Sequence, residues 1–294
     1  MLVTPFNADG KLCFRDVDAL VDYVLKSDAP GFSLLGLAGE ASSLDIDERK
    51  ALTERVISRA GDRKPVIVGT AAPTMTDAAD LAAHASAAGA AALMVAPPSA
   101  GADGARDVDG YFEAVLKAAG DTAVMIQDAP SYVGTSLRPT LARELAERYE
   151  NVRYVKAEGF PIVDHLRAIV DHTRGLGITV FGGNGGVHFL DAMDAGASGM
   201  IPGCEYIEEH MAIFAAFNQG RPAEAKSRYR RMMPLLAYQM QSLPFFIACN
   251  KEVLCVKGIV TTPHVRDMYR MTPRARRLLF EYVDEAVGTL ERFR

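Results

Sequence analysis

Ala123-Val124-Met125-Ile126-Gln127 is an apolar run closed by an amide, and Val152-Arg153-Tyr154-Val155-Lys156 is a second, closed by a lysine. Between them, Arg138–Tyr149 has helical spacing and good helix formers. A short apolar run, a helix and another short apolar run make a βα unit. Strands of this kind belong to a parallel sheet covered on both faces. The pattern continues in both directions. Further apolar runs are Leu2–Phe6, Phe32–Leu37, Val66–Thr70, Ala92–Ala96, Thr179–Gly182 and Gly199–Pro202. Helices are predicted over Arg15–Lys26, Asp45–Ala60, Asp77–Ala88, Val108–Ala119 and Ile162–His172. Eight strands in this alternation fit an α/β fold, a (β/α)8 TIM barrel. The rival is a doubly wound open sheet, which usually opens with a Gly-rich phosphate loop after its first strand. None stands here.

Residues 221–294 continue as helix. Ala223–Leu236 and Pro273–Phe293 are amphipathic, and Gln239–Val256 is mostly apolar. No Ser/Gly-rich linker precedes them. They are expected to form a C-terminal helical extension packed on a barrel of residues 1–220, making one structural unit. The Ala-rich stretch Ala78–Ala92 reads as a tightly packed barrel helix, with Gly89 at its C-terminal end.

Composition narrows the partners. The chain has 294 residues, and its 32 Lys and Arg against 37 Asp and Glu leave a net charge of -5. No basic surface for nucleic acid is expected. No stretch is long and apolar enough for a membrane span, and Met1–Phe6 does not read as a signal peptide. Cys13, Cys204, Cys249 and Cys255 form no CxxC pair and no zinc-ligand spacing, which suits reduced thiols in a cytoplasmic protein.

Active sites of these barrels lie at the C-terminal ends of the strands. Lys156 ends its run directly, so it is expected in or at the mouth of the barrel. A lysine there is costly unless it is paired or used as the neutral amine, the form that attacks a ketone. It is either a Schiff-base nucleophile or a structural lysine paired with Glu158 or Asp128. Strand alternation puts Lys156 and Glu158 on one side. Gly36-Leu37-Ala38-Gly39-Glu40 either cradles a carboxylate with main-chain N–H groups or is simply a turn. Glu40 could instead hold that loop. Gln127 can bind a hydroxyl or carbonyl but carries no proton at neutral pH. Asp128 reads first as a loop-stabilising carboxylate. The run Gly182-Gly183-Asn184-Gly185-Gly186 suits a hydroxyl near the main chain or a tight turn. Among the histidines, His188 is the one placed to act.

Thr4-Pro5-Phe6, then Gly36-x-x-Gly39-Glu40, then a strand ending before Pro130, then Tyr154-Val155-Lys156, resemble the dihydrodipicolinate synthase and N-acetylneuraminate lyase family over nearly the whole chain. The resemblance implies a barrel, a homotetramer and a 2-oxo acid substrate held as an imine on Lys156, with no other cofactor and no metal. The departures are specific. Leu37 and Ala38 replace a hydroxyl pair, Gln127 replaces a catalytic tyrosine, and Tyr132 stands where synthases carry an arginine. The strand-four loop 96–101 has no tyrosine. Met125-Ile126-Gln127-Asp128-Ala129-Pro130 is similar to the 2-keto-3-deoxy-L-arabonate dehydratase branch, as are the tail segments Arg228-Tyr229 to Pro234-Leu235 and Gln241-Ser242.

The resemblance therefore implies a Schiff-base dehydratase of a 2-keto-3-deoxy sugar acid. The expected catalytic residues are Lys156, Gln127 and Glu158. Thr4, Ala38, Gly39, Glu40, Ser131, Gly183 and Asn184 are expected around the substrate. Candidate proton carriers are Glu158 and a Ser or Thr of the 131–136 loop, a water, or the substrate's own carboxylate. A pyruvate-dependent aldolase on the same scaffold is the alternative, and a 2-oxo acid-binding protein without turnover is the third reading.

Overall fold

Seven short strands follow one another around a single sheet, every neighbouring pair parallel and in chain order. In the computed structural model, which describes residues 1–102, 107–266 and 269–288, they are β1 Phe32–Leu34, β2 Val66–Gly69, β3 Ala92–Val95, β4 Ala123–Asp128, β5 Val152–Ala157, β6 Thr179–Gly182 and β7 Gly199–Met200. Helices return the chain between them: α1 Phe14–Lys26, α2 Ile46–Ala60, α3 Met75–Ala87, α4 Val108–Ala119, a short α5 Pro130–Val133, α6 Leu141–Ala146, α7 Ile162–Thr173, α8 Phe189–Asp194 and α9 Ile207–Asn218. α10 Pro222–Gln239, α11 Leu243–Val256 and α12 Pro273–Val287 form the C-terminal extension. The architecture is a (β/α)8 barrel with that extension.

The expected first strand needs correction. Leu2–Phe6 lies between β7 and β1 but forms no ladder. The Met1 amino group donates to the Pro202 carbonyl at 2.8 Å, and the Leu2 N–H donates to Ser33 at 2.7 Å. Pro5 has no N–H to offer, and Phe6 pairs antiparallel with Leu12 in a turn. One hydrogen bond to each side therefore closes the circle where a strand was expected.

Local chemistry sets the helix starts. Asp45, Thr74, Asp107, Ser242 and Thr272 each accept the N–H three residues on, and Asp45 with Glu48 completes a capping box. The Ala-rich helix α3 buries Ala78, Leu81, Ala82 and Ala85. The helix expected over 138–149 shrinks to α6. The predicted tail helix Pro273–Phe293 runs to Val287, and its last residues, 289–293, lie outside the described residues. Among the described residues no helix is long and apolar enough to cross a membrane.

Just past β7, Glu205 is fully buried, and neither carboxyl oxygen has a hydrogen-bond partner among the described residues. A Cβ on Gly203 would lie 2.1 Å from Glu205 Oε2 and 2.4 Å from Asn250 Oδ1, so these two acceptors face one small space. Burial pushes the Glu205 carboxyl up to about 7, against the nearby Lys257. In the unfolded chain it ionises near 4.5. Between those values the native state holds the proton that the unfolded state gives up. Stability is therefore full at low pH and falls as pH rises toward 7. Glu205→Gln places an amide donor beside Asn250 and removes this dependence. Urea unfolding is expected to show the variant gaining about 2 to 3 kcal/mol on wild type between pH 5 and pH 8. An equal gap at both pH values would show that the carboxyl ionises normally in the fold.

Candidate active site

The register of β4 on β5 pairs Gln127 with Lys156 and Asp128 with Ala157. Partners in a parallel ladder share a face, and alternate residues point to opposite faces. Gln127, Lys156 and Glu158 therefore turn into the barrel, and Asp128 turns out. There Asp128 Oδ2 lies 2.7 Å from His165 Nε2 of α7 and ties that helix to the sheet. This removes Asp128 as a partner for Lys156 and gives His165 a structural task.

Inside the mouth, Lys156 Nζ lies 3.0 Å from Glu158 Oε2, with both side chains 5% exposed. Gln127 Nε2 donates to the same oxygen at 2.7 Å. The Asn184 N–H donates to Oε1 at 2.8 Å, and Asn184 Nδ2 reaches the Glu158 carbonyl at 3.4 Å. Three donors thus hold one carboxylate, which offsets its removal from water. Gly183 makes this possible, because a Cβ there would stand 2.1 Å from Glu158 Oε1. Asn184 takes φ of 52°, a left-handed conformation that asparagine tolerates. Its side-chain oxygen accepts from Tyr132 Oη at 3.1 Å. Burial, and then the negative Glu158, keep the Tyr132 phenol protonated well above the usual tyrosine range.

Of the two readings of the 36–40 loop, the structure shows the turn, with Glu40 holding it. Leu37–Gly39 is one 3-10 turn, closed by the Gly39 N–H donating to Gly36 at 2.9 Å. That N–H is therefore not free for a substrate carboxylate. Thr4 Oγ1 donates to the Gly39 carbonyl at 2.6 Å, so Thr4 positions the turn. Glu40 has φ of 55° and no exposed surface, and it pairs with Lys251 of α11. Its Oε2 also accepts the Arg266 N–H at 3.0 Å. Lys251 Nζ is held further by the His264 carbonyl at 2.7 Å and lies 4.4 Å from the Phe6 ring centre. Burial opposes charge on both partners, raising Glu40 and lowering Lys251 to about 8. Thr4, Gly39 and Glu40 form the loop's support, and Ser131 is exposed on α5 away from the pocket. Ala38 alone of the loop candidates, together with Leu37, reaches the pocket wall.

The pocket also contains residues that the sequence reading did not nominate. Tyr132, brought in by α5, is one. Met240, Leu243 and Phe246 are three more, from the corner between α10 and α11. Leu243 and Phe246 stand three apart at a helix start, which signals a shared face, but nothing in that spacing points to the barrel mouth. His188 is half-exposed, 3.7 Å from Asp191, with its ring against Phe160 outside the pocket. A larger apolar cavity of about 340 Å³ lies deeper in the barrel, beside Met125, Tyr154, Phe181 and Met200. The ionisable pair sits in the smaller pocket. Among the described residues no group of three or more His, Cys, Asp or Glu is placed to hold a metal.

The dihydrodipicolinate synthetase family model matches residues 1–278. The chain belongs to this family. It is 28% identical over 268 residues to the L-2-keto-3-deoxyarabonate dehydratase of Azospirillum brasilense, covering 90% of this chain and 85% of that one. It is 26% identical over 255 residues to an Escherichia coli K12 protein named probable 2-dehydro-3-deoxy-D-pentonate aldolase YjhH, covering 85% and 84%. The structure of YagE from E. coli K12, solved in complex with pyruvate, superposes with a TM-score of 0.89 at 25% identity, over 97% of this chain and 96% of that one. These family relatives carry the names of aldolases, dehydratases and synthases. That places the chain among lyase-type enzymes acting on small molecules.

The Glu40–Lys251 pair generates a test. Lys251→Met leaves a buried carboxylate without its counter-charge, which costs about 3 to 5 kcal/mol. Urea unfolding is expected to show that loss, and Glu40→Gln combined with Lys251→Met to recover most of it. A loss below about 1 kcal/mol in the single variant would show that the pair does not anchor the loop.

Proposed function

We propose that this chain is a lyase that forms a Schiff base on Lys156 with a 2-oxo acid and dehydrates a 2-keto-3-deoxy sugar acid of the L-arabonate type. The observation that carries the reading is the buried contact of Lys156 Nζ with Glu158 Oε2 at 3.0 Å, with Gln127 on the same oxygen. A lysine nucleophile needs a proton acceptor beside it, and a carboxylate in hydrogen-bond reach supplies one.

The reaction then runs through these groups. The Lys156 amine adds to the C2 ketone, and loss of that oxygen as water leaves a protonated imine. The imine draws electrons from C3, and Glu158 removes a C3 proton to give an enamine. The enamine expels the C4 hydroxyl, which leaves as water with a proton returned from Glu158. Water then cleaves the imine and restores the amine. Gln127 orients the carboxylate and meets a substrate oxygen without exchanging a proton. Asn184 and the neutral Tyr132 phenol meet the distal hydroxyls. The Ala38 N–H is the loop donor proposed for the substrate carboxylate. No other cofactor enters this scheme, because the imine itself is the electron sink.

Cleavage of C3–C4 by the same imine is the second reading. It is favoured by the aldolase name of the YjhH protein. The two are separated by products: one dehydrated keto acid, or pyruvate plus an aldehyde.

Borohydride reduction in the presence of pyruvate is expected to add one pyruvyl mass, mapped to the peptide carrying Lys156. Lys156→Met is expected to trap nothing and turn over nothing while its circular dichroism stays native. Glu158→Gln is expected to lower kcat about 10²- to 10⁴-fold and still yield the trapped adduct. Turnover of a 2-keto-3-deoxy acid by Lys156→Met would overturn the imine mechanism.

A further inference from the structure

We infer that Met240, Leu243 and Phe246 set the substrate length this site accepts, with Phe246 as the fixed stop and Met240 as the part that yields. The inference rests on the imine reading above and adds which residues discriminate among 2-oxo acids.

The three side chains come from outside the barrel. Met240 caps the C-terminal end of α10, and Leu243 and Phe246, three residues apart in the first turns of α11, share a face of that helix. All three line the pocket that holds Lys156 and Glu158. Beside them stand Leu37 and Ala38, where the resembled synthases and lyases carry hydroxyls. Ala38 and Leu243 pack into one apolar cluster with Ile247, Ala248 and Val265. The site therefore has a polar side made by Gln127, Glu158, Asn184 and Tyr132, and an apolar side made by the 36–40 loop and α11.

Gly185 lets the corner approach. A Cβ there would lie 2.5 Å from Met240 Sδ and 3.0 Å from Phe246 Cε2, so these side chains rest directly on the loop that presents Asn184. The pocket that remains beside Lys156 and Glu158 is much smaller than the cavity deeper in the barrel, so the side chains that line it bear directly on what fits. Met240 is half-buried and unbranched, with three rotatable bonds, which suits displacement. Phe246 is 4% exposed. It sits on a helix fixed by the Ser242 cap, by Asn250 Nδ2 donating to the Phe246 carbonyl at 2.8 Å, and by the Lys251–Glu40 pair. Its backbone is therefore held in place.

The test is competitive borohydride trapping of 2-oxopentanoate, which has the five-carbon length of the proposed substrate, against the longer 2-oxooctanoate, read by intact mass, in wild type, Phe246→Ala, Phe246→Leu and Met240→Ala. Wild type is expected to favour 2-oxopentanoate. Phe246→Ala is expected to raise the ratio of 2-oxooctanoate to 2-oxopentanoate adduct at least about tenfold, the scale on which methylene groups are discriminated in an apolar pocket, with Phe246→Leu between the two. General damage would lower both adducts together and leave the ratio unchanged. Met240→Ala is expected to raise the ratio less, and it carries the test if Phe246→Ala does not fold. Trapping of 2-oxopentanoate by wild type with no change of ratio in any variant would overturn the inference and leave the imine reading standing. Absence of any adduct in wild type would remove the imine reading, and this inference with it.

Discussion

The carboxylate of Glu158 organises the mouth of the barrel. Its two oxygens take donors from three strand ends: Lys156 on β5, Gln127 on β4 and the Asn184 main chain after β6. None of these contacts survives a shift of one residue in the register, because such a shift turns the side chains to the outer face. Gly183 supplies the remaining condition, since any side chain there would occupy the carboxylate's place. A buried charge pair is not a source of stability by itself, because removing both ions from water offsets most of their attraction. Its presence at the strand ends is explained better by chemistry than by folding.

A second buried pair, Glu40 with Lys251, joins the loop after β1 to α11. Through it the C-terminal extension becomes part of the site, although its described residues contribute no strand. The extension carries Met240, Leu243 and Phe246 over the mouth, and the loop receives them with Leu37 and Ala38. Apolar residues at these two loop positions match apolar residues on the helix. Where the resembled synthases and lyases carry hydroxyls on the loop, this chain has apolar residues with a physical counterpart more than 200 positions away in the chain.

Much of this was readable beforehand, and for definite reasons. Lys156 stood out because a charged residue closing an apolar strand is costly without a task. Its partner Glu158 followed from the two-residue period of a strand. Gln127 is legible as the amide that closes its apolar run and, through the family resemblance, as the residue in the place of a tyrosine. The loop roles were less legible. Thr4 and Gly39 read as substrate contacts, and Glu40 as either a substrate contact or the residue that holds the loop. Yet the Gly39 N–H closes its own turn, Thr4 holds that turn, and Glu40 answers a lysine far along the chain. Ser131 and Tyr132 are adjacent, and only the short helix α5 decides that Tyr132 enters the pocket while Ser131 faces solvent. Leu2–Phe6 had the composition of a strand, but with Pro5 in it and one hydrogen bond on each side it closes the barrel without a ladder.

By itself the sequence determined the βα alternation, the parallel sheet, the helical tail and the lysine at the end of β5. These depend on local periodicity and on the cost of burying charge, and both can be read over a few residues. The tertiary structure alone decided which donors meet Glu158, how the 36–40 loop is anchored and which side chains bound the pocket. Those depend on distances between residues tens to hundreds of positions apart, and local periodicity carries no information about such distances.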